Sequence, residues 1–333
     1  MDRIAVIGAG SWGTTVASIA AATTETALWA RRSELADAIN QSRVNPEYLP
    51  ELRLPGALSA TSDLEEAVAG AEAVVMAVPS HGFRGVFAKL ASGIAHDTPI
   101  VSLTKGIEQE TLARMTEVVA DISPSHDPRL CGVLTGPNLA AEIVAGQPTA
   151  AVIAMADPDA GERLQALFMG PAFRVYTNDD VIGCELAGAL KNVMAIASGM
   201  SDGLGFGDNT RATLLTRALA ELSRLGVALG GRPETFAGLA GMGDLIATCS
   251  SNKSRNHQVG HLLARGKALD DIITEMRMVA EGVKTTRSVL GLADRTGVDM
   301  PIATHVGMVL DAKITPKEGV LSLMTREAKA EST

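Results

Sequence analysis

Aromatic residues make up only 3% of this 333-residue chain. Its core must therefore be built from Ala, Val, Leu, Ile and Met rather than from rings. Cysteine is also scarce. Cys131, Cys184 and Cys249 lie far apart, with no C-x-x-C pair and no even set. That pattern indicates neither a zinc site nor a disulfide framework, so no metal is expected and the thiols read as small buried apolar groups. Positive charge is in deficit, with a net charge of −9, which argues against general nucleic-acid or anionic-membrane binding. An anionic ligand would need a local basic cluster. No uninterrupted apolar span is present either. The longest apolar stretch, Val181 to Met200, carries Glu185, Lys191 and Asn192, so no membrane span is expected. Met1 is followed almost at once by a strand-like run, which leaves no room for a signal peptide. The expected location is the cytoplasm.

What is present begins at the N-terminus. Ile4-Ala5-Val6-Ile7 is a buried-strand pattern, and Gly8, Gly10 and Gly13 follow it as G-x-G-x-x-G, ahead of a helix-like stretch from Thr14 to Ala22. The first glycine lets the chain turn off the strand, the second admits a pyrophosphate to the backbone, and the third lets helix and strand pack closely. The helix N-terminus then offers free N–H groups to phosphate. Thr26 to Ala30 reads as the second strand. It ends in Arg31-Arg32 instead of the acid that binds a ribose 2′-hydroxyl, which favours NADP over NAD.

Alternating strand and helix signals continue to about residue 178. Strands are expected at Ala73–Val78, Ile100–Thr104, Leu130–Thr135, Ala150–Ala154 and Phe173–Tyr176, with a turn-rich loop from Asn45 to Pro50. This is an α/β pattern, a Rossmann-like, mostly parallel, doubly wound sheet covered on both faces. Beyond it the helical period takes over, at Glu185–Met200, Thr213–Leu229, Arg255–Arg265, Val283–Thr296 and Pro301–Leu310. The expected division is a dinucleotide-binding domain over 1–178 and an all-helical substrate and catalytic domain over 179–333, ending in a loose tail from Ala328. Ligands in open α/β sheets sit outside the carboxyl ends of the strands. Pro79-Ser80, Lys105 and Gly136-Pro137 fall at such ends and should share one crevice with the glycine loop.

Lys191 lies in a stretch apolar nearly all round, the pattern of a buried helix. Burial lowers an ammonium's pKa toward the range of acid–base catalysis. A lysine at the helix edge that reaches solvent along its stem is the alternative. Asn192 and Asp244 are expected to keep that ammonium placed, although Asp244 could instead cap a helix from Leu245. Ser254-Arg255-Asn256 brings a hydroxyl, a guanidinium fork and a helix N-terminus together, the parts of a phosphate site. A solvated, capped loop would look the same. Lys105 suits an anion, Glu281 a cofactor contact or a cap, and His81 reads as loop structure.

Taken together, these stretches resemble the soluble, biosynthetic NAD(P)-dependent glycerol-3-phosphate dehydrogenases over nearly the whole chain. The resemblance rests on Gly8–Thr14, Asn45–Pro50, Ser102–Gly106, Leu134–Pro137, Ala189–Val193, Gly207–Ala212, Gly238–Leu245, Ser254–Asn256 and Glu281–Val283. It implies interconversion of dihydroxyacetone phosphate and sn-glycerol 3-phosphate with NADP or NAD, and a supply of glycerol 3-phosphate for phospholipid synthesis. Separately from the resemblance, a homodimer through the helical domain is expected. Lys191 is implied as the catalytic acid–base. Lys105, Gly136, Asn138, Asp244, Ser254, Arg255 and Asn256 match substrate-binding positions. Ser11, Trp12, Arg31, Arg32, Tyr48, Lys105, Ala140, Arg255, Val279 and Glu281 match cofactor-binding positions. One departure is visible. Asn138-Leu139 stands where the family carries Ser or Thr and then Phe. Hydroxy-acid, ketopantoate and acyl-CoA dehydrogenases pair similar domains, and the Ser254–Asn256 loop argues against them. Lys191 argues against a non-catalytic NADP sensor.

Overall fold

The computed structural model describes residues 1–276, 280–328 and 330–331. Eight strands form one sheet: β1 (Arg3–Ile7), β2 (Glu25–Trp29), β3 (Leu58–Thr61), β4 (Val74–Met76), β5 (Ile100–Ser102), β6 (Cys131–Thr135), β7 (Thr149–Ala154) and β8 (Phe173–Asn178). Their order is β3-β2-β1-β4-β5-β6-β7-β8. Every neighbouring pair is parallel except β6 and β7. Strand β3 carries no long apolar run, so its sequence alone predicts no strand there. The chain order reverses beside β1, whose Ile7 registers with Trp29 on one side and Met76 on the other. A crevice opens at such a reversal, outside the strands' carboxyl ends.

Seven helices accompany the sheet: α1 (Ser11–Ala20), α2 (Ser33–Ser42), α3 (Leu64–Val68), α4 (Ser80–Leu90), α5 (Met115–Ile122), α6 (Ala140–Val144) and α7 (Pro158–Phe168). Val16, Leu35, Ile39, Leu164 and Phe168 pack on one face of the sheet. Phe83, Phe87, Leu90, Met115 and Val118 pack on the other. Central strands covered on both faces need unbroken apolar runs, and Ile4 to Ile7 are each fully buried.

After β8 the described chain is helical: α8 (Val181–Gly203), α9 (Asp208–Ala228), α10 (Pro233–Ala237), α11 (Asp244–Ser250), α12 (Arg255–Ala264), α13 (Leu269–Glu275), α14 (Glu281–Thr296), α15 (Pro301–Leu310) and α16 (Pro316–Met324). Helix α8 is long and apolar enough to cross a membrane, yet most of it is buried within this fold. It starts four residues earlier than its apolar pattern suggests because Asp180 caps it, accepting from Gly183 N at 2.8 Å. All three cysteines are buried, and burial pushes their thiols up to about 12.

Helix α12 lies against α8 at backbone distance. A Cβ on Gly260 would overlap the Ile196 carbonyl oxygen and lie 2.8 Å from Met200 N, and one on Gly199 would overlap His257 O. This contact sets where the N-terminus of α12 meets the middle of α8. Gly260→Ala must push the helices apart or strain them, and should cost about 2 kcal/mol or more. Urea denaturation measures it, and an unchanged midpoint would show that the helices do not depend on this contact.

Candidate active site

The glycine loop has the geometry a phosphate needs. Gly8 holds φ at +124°, and a Cβ there would lie 2.5 Å from Ala77 O. A Cβ on Gly13 would overlap the Gly8 carbonyl oxygen. Gly10, by contrast, has no protein atom within 4 Å of its would-be Cβ. Helix α1 begins at Ser11 on the Gly10 cap, so its first N–H groups face outward without intrahelical partners. Asn45 locks the loop, its Nδ2 donating to Ala9 O at 2.9 Å and to Thr14 Oγ1 at 2.8 Å. Its Oδ1 accepts from the backbone of Glu47 and Tyr48. The turn carrying Tyr48 is thereby fixed to the loop. Trp12 stacks obliquely on Phe173, and its indole nitrogen is buried with no partner. An open glycine, outward N–H groups and an orphaned indole N–H fit a bound dinucleotide. Arg31 and Arg32 are exposed beyond β2, and Arg32 pairs with Glu47. Ala140 opens α6. Val279 lies outside the described residues.

Lys191, on α8, is 4% exposed, and Asp244, the first residue of α11, is 2% exposed. Lys191 Nζ lies 2.9 Å from Asp244 Oδ1 and also donates to Thr248 Oγ1, which donates to Asp244 Oδ1 at 3.2 Å. Lys105 comes from the end of β5. Its Nζ lies 2.7 Å from Asp244 Oδ2 and 2.9 Å from Gly136 O. One carboxylate thus bridges two ammonium groups and leaves one positive charge in excess. Burial pushes Lys105 down to about 8; Asp244 opposes the fall and the Lys191 charge adds to it. Gly188 lets the strand end come close, since a Cβ there would lie 2.9 Å from Thr135 Oγ1 and 3.5 Å from Lys105 Cγ.

Asn192 does not hold the Lys191 ammonium, contrary to expectation. Successive helical residues point about 100° apart, and the Asn192 amide faces the other way. It donates to Lys105 O at 2.8 Å and accepts from Asn256 Nδ2 at 2.9 Å. Asn256 in turn accepts from Gly282 N at 2.9 Å. Asp244 turns its carboxylate to the lysines rather than capping α11.

Ser254 caps α12, accepting from His257 N at 3.3 Å. Arg255 has an accessible side chain, but closely packed atoms around its guanidinium lower its pKa, while the charges of Glu281 and Tyr48 oppose this. Arg255 thus lies near both Glu281 and the Tyr48 turn. Both amide atoms of Asn138 are buried with no protein partner, a placement suited to a ligand with donors and acceptors. Glu281 opens α14, and Ser80 reaches both of its oxygens, N to Oε1 at 3.0 Å and Oγ to Oε2 at 2.6 Å. His81 is exposed in the first turn of α4, not in a loop. Thr248 carries no mark of its role in the sequence beyond its spacing from Asp244, four apart on one helix face. Ser80 is expected in the crevice and Asn45 in a turn-rich loop, without the contacts to Glu281 and the glycine loop that they make.

Residues 3–161 match the profile for the NAD-dependent glycerol-3-phosphate dehydrogenase N-terminus, and residues 180–321 match that for its C-terminus. The glycerol-3-phosphate dehydrogenase [NAD(P)+] 2 of Sphingopyxis alaskensis is 56% identical over 94% of this chain and 93% of its own. The glycerol-3-phosphate dehydrogenase [NAD(P)+] of Geobacter sulfurreducens is 50% identical over 99% of each. A crystal structure of glycerol-3-phosphate dehydrogenase from Coxiella burnetii superposes with a TM-score of 0.91 at 37% identity, covering 98% of this chain and 99% of that one. A ketopantoate reductase from Ralstonia eutropha shares the fold alone, at a TM-score of 0.58 and 18% identity over 96% of this chain and 99% of that one. With both halves matched in order and relatives at half identity along its length, the chain belongs to the NAD-dependent glycerol-3-phosphate dehydrogenase family.

Proposed function

We propose that this chain is an NAD(P)-dependent sn-glycerol-3-phosphate dehydrogenase that interconverts dihydroxyacetone phosphate and sn-glycerol 3-phosphate. The observation that carries the reading is the buried Lys105–Asp244–Lys191 bridge at the strands' carboxyl ends, beside the N-terminus of α12. The glycine loop and the N-terminus of α1 would hold a nicotinamide dinucleotide, which would supply or take the hydride. Lys191 Nζ holds the proton that the substrate's C2 oxygen takes as the carbonyl becomes an alcohol. Asp244 and Thr248 aim that ammonium, and in reverse neutral Lys191 takes the proton back. Lys105, Arg255, Ser254 and the N–H groups of α12 bind the phosphate, and the Asn138 amide pairs with the substrate's polar groups. On this reading residues 1–178 bind the dinucleotide, with Ser11, Trp12, Arg31, Arg32 and Tyr48 around it, and residues 179–333 supply the acid–base. The product feeds glycerophospholipid synthesis in the cytoplasm. The helical half exposes Val227, Ile273, Leu321 and Met324, apolar surface that pairing into a homodimer would cover.

Removing the acid–base tests the core of the reading. Lys191→Met keeps the stem and deletes the proton, so kcat should fall by a factor on the order of 10²–10⁴ or more while dinucleotide binding persists. Near-normal turnover in a folded variant would reject Lys191 as the acid.

Phosphate anchoring predicts a different signature. Arg255→Ala should raise KM for dihydroxyacetone phosphate about ten- to a hundredfold, the ~1.5–3 kcal/mol of a charged hydrogen bond. Arg255→Lys should rescue only part of this, because a point charge does not replace the planar fork. An unchanged KM would remove the phosphate from this loop.

The pH dependence follows from Lys105. Its pKa of about 8 lies below the ordinary lysine value, so below that pH it carries the charge an anion needs, and above it the charge is lost. The kcat/KM for dihydroxyacetone phosphate should fall as pH rises past about 8. Lys105→Met should lower kcat/KM at neutral pH and flatten that limb. A limb unchanged in the variant would belong to another group.

A further inference from the structure

Strand β2 ends without the acid that binds a ribose hydroxyl, yet a carboxylate reaches this place from another segment. Glu47 pairs with the Arg32 guanidinium, and this bond is the main reason the Arg32 pKa rises. The approach is not that of a loose surface chain. Glu47 N and Tyr48 N both donate to Asn45 Oδ1, and Asn45 Nδ2 is fastened to Ala9 O and Thr14 Oγ1 of the glycine loop. Gly8 N donates to Trp29 O at 3.0 Å, which sets the end of β2 beside the same loop. Arg32 and Glu47 therefore stand together on the β2 side of the loop. Their side chains are 50% and 43% exposed, open to a ligand.

We propose that Glu47 sets the balance between the two nicotinamide dinucleotides and is what lets a site with two arginines serve both. This rests on the dinucleotide reading of the glycine loop. The two cofactors differ by one phosphate on the adenosine ribose. Against a 2′-hydroxyl, the Glu47 carboxylate accepts a hydrogen bond and keeps its pair with Arg32. Against a 2′-phosphate, Arg31 and Arg32 attract the dianion, but Arg32 must turn from or share its carboxylate, and Glu47 faces a group of its own sign. Glu47 thus supports the hydroxyl form and opposes the phosphate form. Specificity commonly uses such a repulsive element beside the attractive one.

Glu47→Gln removes the charge and keeps the shape at an exposed position. Calorimetric titration of the full chain with NADP+, NAD+, 2′,5′-ADP and 5′-AMP reads binding without turnover. NADP+ and 2′,5′-ADP should bind about three- to tenfold tighter to the variant, as expected for an exposed ion pair plus a like charge removed. NAD+ and 5′-AMP should be unchanged or a few-fold weaker. The gain should fade at roughly 0.5 M salt, where screening shortens to a few ångströms. Equal changes for both pairs of ligands would overturn the proposal, as would weaker NADP+ binding, which would make Glu47 a support that aims Arg32 at the phosphate. Failure of all four ligands to bind the unaltered chain would instead reject the dinucleotide reading beneath it.

Discussion

The Asp244 carboxylate is the constraint on which the rest of the site depends. Two ammonium groups, Lys105 and Lys191, lie within 2.9 Å of its oxygens in a place almost closed to water. An unpaired buried charge is expensive, and removal of one partner of a buried pair is more damaging than replacement of both. The three residues come from the end of β5, the middle of α8 and the start of α11, so the crevice forms only when sheet and helices are assembled. Two positive charges against one negative leave a single surplus. In a chain with a net charge of −9, that surplus is the local field an anionic substrate meets, and low dielectric strengthens it.

Neutral groups then fix where the charges stand. Gly282 N, Asn256, Asn192 and the Lys105 carbonyl form a chain of hydrogen bonds through four segments. Asn256 thus supports the lysine's backbone, while its neighbour Ser254 caps α12 and Arg255 has an accessible side chain. Further ties run between the sheet half and the helical half. Ser80 holds Glu281, and Thr116 and Arg114 hold the buried Glu185 of α8. Each tie joins a carboxylate on one half to donors on the other, so the crevice walls are set by directional bonds as well as by apolar packing.

Much of this was legible in sequence for local reasons. The G-x-G-x-x-G turn is dictated by backbone sterics at Gly8 and Gly13, and those requirements are written in the residues themselves. Buried parallel strands need continuous apolar runs, so β1, β4 and β7 announce themselves. Strand β3 did not, because four residues, Leu58 to Thr61, with one face exposed, carry no such run. The antiparallel turn at β7 was equally silent, since strand direction leaves no mark on composition. In the site, Lys191 stood out as a charge in an apolar helix, and Asp244 as a carboxylate among glycines. The direction of the Asn192 amide and the pairing of Glu47 with Arg32 were not legible. Both depend on long-range placement, set by a helix rotation in one case and by the Asn45 turn in the other.

The fold alone leaves the substrate open, because a Rossmann sheet beside a helical domain serves many reactions. What narrows it is the kind of group each wall presents. On the proposed reading, a lysine that gives and takes a proton must be held in one place. Lys191 is buried with its Nζ 2.9 Å from Asp244 Oδ1, and Thr248 fixes its direction. On α12 the need is the reverse. Arg255 has an accessible side chain on a helix N-terminus, and a guanidinium fork and a helix dipole both favour phosphate. On the proposed reading, one end of the crevice exchanges a proton and the other holds a charge that does not react. A small molecule with a carbonyl or alcohol at one position and a phosphate close by satisfies both ends at once.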